Sequence, residues 1–255
     1  EPPDGVEPPA FLLVPVPPPK AENRLIGGES SICGGGAELQ AINGFQKAMV
    51  FEVAERRDAK IIYHFRSGDE CLANEFFLPV ASPLNDPSTE LRNYVEKITE
   101  DCCCEQDVLD TIITITAELF DYDHIDEPFY HGEDRMPLIT SLTKGNCADI
   151  HGFLLSCMYS LKIKGNYLSG FYFEDGENTA RGFHCWLSSQ IEQRIQYWDV
   201  SQFVMQKIRQ VIAGLNPIGG SRIALGVRRG LEFDIGGRPG RLKQFGHPLW
   251  IFRDV

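Results

Sequence analysis

An α+β fold is predicted, on three observations. Strand-like runs cluster before residue 83, apolar residues recur at helical spacing through the middle of the chain, and strand-like runs return after residue 165. Strands and helices that segregate in this way, rather than alternating strictly, argue for helices packed on an antiparallel sheet.

Taken in order, residues 1–45 form a Pro/Gly-rich N-terminal segment. "EPPDGVEPPAFLLVPVPPPK" is expected to be extended and to pack along the body. Residues 21–45 read as loop. A small β region follows over 46–88, from "KAMVFEVAE", "AKIIYHFRS" and "ANEFFLPVAS", expected to form one small antiparallel sheet. The period then changes. Leu91, Tyr94, Val95 and Ile98 have helical spacing, with Ser88 or Thr89 as cap. Leu109, Ile112, Ile113, Thr116, Leu119 and Phe120 continue that stripe, although their β-branched members weaken it. Ile150, Phe153, Leu154, Cys157, Met158 and Leu161 mark the inward stripe of a buried helix over 147–162. "NYLSGFYF", "GFHCWLSS" and "IQYWDVS" read as three strands. Val204, Ile208, Val211, Ile212 and Leu215 suggest a further helix, and the last 40 residues more strands. Residues 89–255 are thus expected to form the main core.

A chain of 255 residues buries a real core. Its formal charge of −12 argues against a nucleic-acid surface. No apolar run approaches the roughly 20 residues of a membrane span, so neither nucleic acid nor membrane is expected as a partner. The eight cysteines show no small-domain disulfide pattern, and a reduced, cytoplasmic setting is the default expectation. "CCC" at 102–104 has no CxxC partner and no nearby His. "DGEN" at 175–178 lacks the acidic spacing of a calcium loop. No metal and no cofactor is expected.

The stretch "KGNCADIHGF" sets Cys147 at the start of a helix. Free N–H groups and the helix dipole favour a thiolate there. Gly145 permits a tight turn before it. A nucleophilic thiol also needs a base and a group to orient that base. His184 lies in "GFHCWLSS", on one strand face with Trp186 and Ser188. If the two strands turn at Ile191-Glu192, His184 falls opposite Asp199 and Trp186 opposite Tyr197, with Cβ atoms roughly 4.5–5.5 Å apart. Asp199 would then fix the His184 tautomer. A buried Asp between Trp198 and Val200 would be costly without such a partner.

"KGNCADIHGF", "GFHCWL" and "YWDVS", in that order, resemble the transglutaminase-like superfamily, most nearly its bacterial cysteine protease and acyltransferase members. "NEFFLPVAS" and "SRIALGVRRGLEFDIGG" are similar to its flanking strands. The resemblance implies a papain-like core, with the Cys helix packed on an antiparallel sheet. It carries over Cys147 as nucleophile, His184 as general acid and base, and Asp199 as orienter. "KIKGNY" replaces the family's Ile-Pro-Ala-Arg, Val200 replaces the Pro after the Asp, and "SSQIEQR" replaces its Gly-Trp turn. These departures bear on substrate more than on chemistry.

Four further residues are candidates for substrate or oxyanion contacts. Trp186 would wall the cleft. Asp149 would cap the helix or position substrate. His151, one turn after Cys147, would face the site or make a structural hydrogen bond. Tyr130, or Tyr122, would donate to the oxyanion from the connection before Cys147. The expected chemistry is a Cys147 thioester formed from a peptide, amide, ester or acyl-thioester substrate. Water would release it in a peptidase or amidase. An amine would release it in a transferase, including an amide-forming acyltransferase that uses carrier-bound acyl groups. Water is the default acceptor. A binding protein that keeps the fold without catalysis is the rival class.

Overall fold

The computed structural model describes residues 10–18, 24–30, 36–53, 59–66, 74–77, 79, 82–124, 135–180, 182–237 and 239–252. Five strands come first: β1 (Ala10–Val16), β2 (Arg24–Ser30), β3 (Ala37–Gln40), β4 (Lys47–Val53) and β5 (Ile61–Arg66). Helices α1 (Thr89–Ile98) and α2 (Glu105–Leu119) follow, then β6 (Phe120–Tyr122), β7 (Thr143–Gly145) and α3 (Cys147–Ser160). Next are β8 (Lys164–Phe173), β9 (Phe183–Ile191), β10 (Arg194–Trp198) and α4 (Val200–Met205). The chain closes with β11 (Ser221–Val227), β12 (Leu231–Asp234), β13 (Pro239–Leu242) and β14 (Leu249–Phe252). The fold is therefore a mixture of helix and sheet.

Helix α3 is the centre of the main core. It is buried on every side from Cys147 through Met158, with Asp149, His151 and Ser156 among its buried residues. Helices α1, α2 and α4 cover it on one side. On the other it packs on β8 and β9 of an antiparallel sheet ordered β10-β9-β8-β11. The β-branched residues of α2 do not break it. Thr111, Thr114 and Thr116 each turn a hydroxyl back to the carbonyl four residues earlier, at 2.8, 2.8 and 2.7 Å.

The N-terminal region differs from the sequence reading. β4 and β5 do not share a sheet: β4 lies between β1 and β3, whereas β5 pairs with β2. Two strands, β2 and β3, form within 21–45, where loop was expected. The segment around "AFLLVPV" is extended, as expected, but as strand β1, held between β4 and β14. Pro15 is tolerated there because the β14 ladder ends at Leu13, so position 15 has a neighbour on only one side. The run expected as a strand over 73–82 instead carries a 3-10 turn at Asn74–Phe77. That turn buries Phe76 and Phe77 against Leu168 and Trp186, and Asn166 Nδ2 donates to the Phe76 carbonyl at 2.8 Å.

The β9–β10 hairpin is also displaced from the expected register. Its loop is Glu192-Gln193, with Arg194 paired to Ile191 and Trp198 to Leu187. Tyr197 faces Ser188, not Trp186, and β10 ends before Asp199. Glu192 takes the positive φ of 54° that opens such a two-residue loop. Helix α4 then starts at Val200, one residue after Asp199, and stops at Met205. The longer helix expected over 204–215 is absent. Lys207 has φ 57°, and Ile208, Ile212 and Leu215 lie at the surface.

Candidate functional site

Cys147 is set by a rigid approach. β7 pairs in parallel with β6, Tyr122 opposite Gly145, and delivers the chain to Asn146. Asn146 caps α3: its Oδ1 accepts from the N–H of Ala148 at 2.8 Å and of Asp149 at 3.4 Å. Asp149 Oδ2 accepts in return from the Asn146 N–H at 3.1 Å, completing a capping box. The Cys147 N–H stands ahead of these, at the first helical position. Gly145 is needed here for room, since a Cβ would press on the Phe120 ring and Asp149 at 3.0 Å.

His184 projects from β9 and Asp199 from the junction of β10 and α4. Although they are not cross-strand partners, His184 Nε2 lies 2.8 Å from Asp199 Oδ2. The other ring nitrogen, Nδ1, is free of Asp199, and the His184 ring and the Cys147 thiol influence each other electrostatically. Asp199 is buried and fully engaged. Ser201 Oγ donates to its Oδ1 at 3.0 Å and Arg222 Nη1 to its Oδ2 at 2.8 Å. Three donors around one carboxylate, two of them cationic when His184 is protonated, explain how a charged group survives burial here.

The electrostatics follow from these contacts. A hydrogen bond from the Cys185 thiol, then the His184 ring and its charge, hold the Cys147 thiol well below its usual range, against the burial that would raise it. Burial also opposes a charged His184 ring. The Asp199 carboxylate and the Cys147 thiolate outweigh it and push His184 up to about 10. Burial would raise Asp199 likewise, but His184, His151 and Arg222 hold it below the usual carboxylate range. Both shifts favour the charged forms, a thiolate at Cys147 and an imidazolium at His184. Burial first, and the neighbouring thiolate second, keep Cys185 a thiol.

No family model matches the chain, and no curated protein matches it. Solved structures with a similar arrangement exist. One is described as a "Putative Cysteine Protease from Cytophaga hutchinsonii", with a TM-score of 0.48, 11% identity, and coverage of 98% of this chain and 87% of that one. Another is the periplasmic domain of TgpA from Pseudomonas aeruginosa, with a TM-score of 0.40, 12% identity, and coverage of 82% and 94%. At these values the geometry of the site itself has to carry the functional reading.

The structure brings Cys147, His184 and Asp199 together. Trp186 is buried and its ring stacks on that of His184, centroids 6.1 Å apart. It backs the histidine more than it walls an open cleft. His151 is fully buried, with Nδ1 3.8 Å from Cys185 Sγ and Nε2 3.9 Å from Asp199 Oδ1. Burial pulls it down to about 4, so it is neutral. Asp149 is engaged by the cap and faces Lys243 Nζ at 3.9 Å. Tyr130 lies outside the described residues. Tyr122 is described: burial, reinforced by the Cys147 thiolate, pushes its phenol up, so it remains a donor. A recess of about 110 Å³ opens beside His184, lined by Tyr172, Glu174, Gly182 and Phe183.

Three neighbours escaped the sequence reading: Cys185, Ser201 and Arg222. The one available signal was that a buried carboxylate offers about four acceptor positions, so a single histidine could not satisfy Asp199. Among the described residues no group of three or more His, Cys, Asp or Glu forms a metal site, and Cys103 and Cys104 are exposed. No helix among the described residues is long and apolar enough to cross a membrane.

Proposed function

We propose that this chain is a thiol acyl-transfer enzyme of the transglutaminase-like type, with Cys147 as nucleophile, His184 as acid and base, and Asp199 as orienter. The observation that carries this reading is the buried His184–Asp199 pair, with 2.8 Å between His184 Nε2 and Asp199 Oδ2, whose charge reaches the buried Cys147 thiol and holds it low. A core packing site has no need of a charged carboxylate, a protonated imidazole and an acidified thiol in one place.

In the proposed reaction the Cys147 thiolate adds to a carbonyl carbon. The oxyanion is met by the Cys147 N–H at the start of α3, with Tyr122, from the strand paired to Gly145, as the candidate side-chain donor. His184 gives its Nδ1 proton to the leaving group, and the tetrahedral adduct collapses to a thioester. His184 then takes a proton from water or an amine as that nucleophile attacks, and Cys147 leaves as thiolate. Water makes a peptidase or amidase, an amine a transferase. Peptide or isopeptide hydrolysis is the first reading, since water is the default acceptor of a thioester unless a site excludes it.

Mild alkylation at neutral pH, followed by mass spectrometry, tests the nucleophile. Cys147 should be labelled to one equivalent well ahead of Cys157 and Cys185. Equal rates would leave a binding protein as the better reading. Trapping an acyl-enzyme from a library of peptides, amides and thioesters, with and without added amines, then identifies the acyl group and the acceptor.

A further inference from the structure

The Asp199 carboxylate is more crowded than a thiol triad requires. One oxygen, Oδ2, takes both His184 Nε2 and Arg222 Nη1, each at 2.8 Å. Arg222 reaches it from β11, where it pairs with Tyr172 of β8. Its guanidinium lies 5.7 Å over the Trp186 ring, which in turn stacks on His184. Two cations therefore divide the lone pairs of a single buried oxygen.

We propose that Arg222 is a positioning residue that shares the Asp199 oxygen with His184 and thereby limits how firmly the imidazolium keeps its proton. This rests on the acyl-transfer reading given above. His184 must release a proton in one half of that reaction and accept one in the other. A buried carboxylate facing only an imidazolium would hold that proton too tightly, because charges in a site that excludes water attract strongly. A second positive charge on the same oxygen weakens the pull.

Placement alone does not account for Arg222. Ser201 already holds the other carboxylate oxygen at 3.0 Å, from the first turn of α4. Among the described residues the groups facing the His184–Asp199 pair are these, with Glu174 in addition lining the recess beside the ring. The Cys147 thiolate and Asp199 favour the charged ring. Tyr172 presents its ring edge to His184 at 6.1 Å between centroids. His151 faces Asp199 from α3 but is neutral, and Cys185 remains a thiol. What Arg222 adds is fixed positive charge, and its side chain is only 13% exposed, so solvent screens that charge little.

The test is the pH profile of Cys147 alkylation by iodoacetamide, on the full chain, for the wild type, Arg222→Met, Arg222→Gln and Arg222→Lys. The wild type should show an acid-side plateau from the ion pair and an upper inflection where His184 loses its proton. In the uncharged variants that inflection should rise by about one pH unit, whereas Arg222→Lys should keep it near the wild-type value. A merely structural role would lower the melting temperature without moving the inflection. An inflection that stays or falls in the Met and Gln variants overturns the inference. If neither variant folds, nitrogen-15 NMR of the wild type decides. The Arg222 guanidinium resonance should follow the His184 titration, and a silent resonance overturns the inference. A wild type with no acid-side plateau overturns the acyl-transfer reading and this inference with it. A plateau with an unmoved inflection overturns this inference alone.

Discussion

His184 and Asp199 meet at 2.8 Å across a hairpin in which they are not paired. The contact exists because β10 ends at Trp198 and the chain turns into α4, carrying the Asp199 side chain diagonally towards β9. Replacing Asp199 by Asn keeps the shape and removes the charge. Cys147 would drift towards an ordinary thiol, and its alkylation at about pH 7 should slow by roughly ten- to thirty-fold. Acyl transfer should fall further, by about 10²–10⁴-fold. Rate constants for the variant and the wild type check both values.

The pH dependence of acyl transfer has a defined sign. The reaction needs a thiolate and an imidazolium together. Cys147 is held low, and His184 is held up to about 10. Activity should therefore be level through neutrality and decline as pH rises through about 10, where the ring loses its proton. The two inflections belong to the coupled pair. A decline centred near the ordinary histidine value would contradict the arrangement.

The Cys185 thiol, ahead of the His184 ring, lowers Cys147 by offering its thiolate a hydrogen bond. Cys185→Ala removes the donor and should raise the acid-side inflection of Cys147 alkylation. Cys185→Ser keeps a donor and should raise it less. Identical profiles for the three proteins would show that the second thiol is a bystander.

The Asn146 cap ties site geometry to stability. Asn146→Ala leaves the N–H groups of Ala148 and Asp149 without their acceptor. It should cost about 1 kcal/mol and lower the melting temperature by about 2–4 °C. Calorimetry checks the loss.

Gly152 tests packing behind the site. A Cβ at this position of α3 would overlap the guanidinium of Arg229, which is fully buried and has no room to swing aside. Gly152→Ala should destabilise the protein by about 1–3 kcal/mol, read as a lower denaturation midpoint in urea at unchanged slope.

The site was partly legible in the sequence, for reasons that differ from residue to residue. Cys147 was readable because Gly-Asn-Cys before an apolar helix is a local signal, and the Asn146–Asp149 capping box lies within four residues. Asp199 was matched to His184 through a register that the structure does not use. "SSQIEQR" contains no Gly or Asn to mark the loop, and Glu192 supplies the positive φ instead. The contact is made instead because β10 ends at Trp198 and the turn into α4 carries Asp199 back towards β9. Arg222 and Cys185 were not read. Arg222 comes from 23 residues beyond Asp199 on a separate strand, and a cysteine beside a histidine carries no pattern of its own. Helical spacing over 204–215 was a true stripe of apolar residues, but the left-handed Lys207 ends the helix before them.

The pairing of β1 with β14 sets the order in which this molecule can be assembled. The His184–Asp199 contact joins residues only 15 apart, and the sheet around it is complete once β11 has been made. The other four-stranded sheet cannot place its edge until synthesis has run from Ala10 to Leu249. Contacts of such long sequence separation form slowly. On sequence separation alone, the His184–Asp199 pair would form before β14 can cover β1, which until then has one open side.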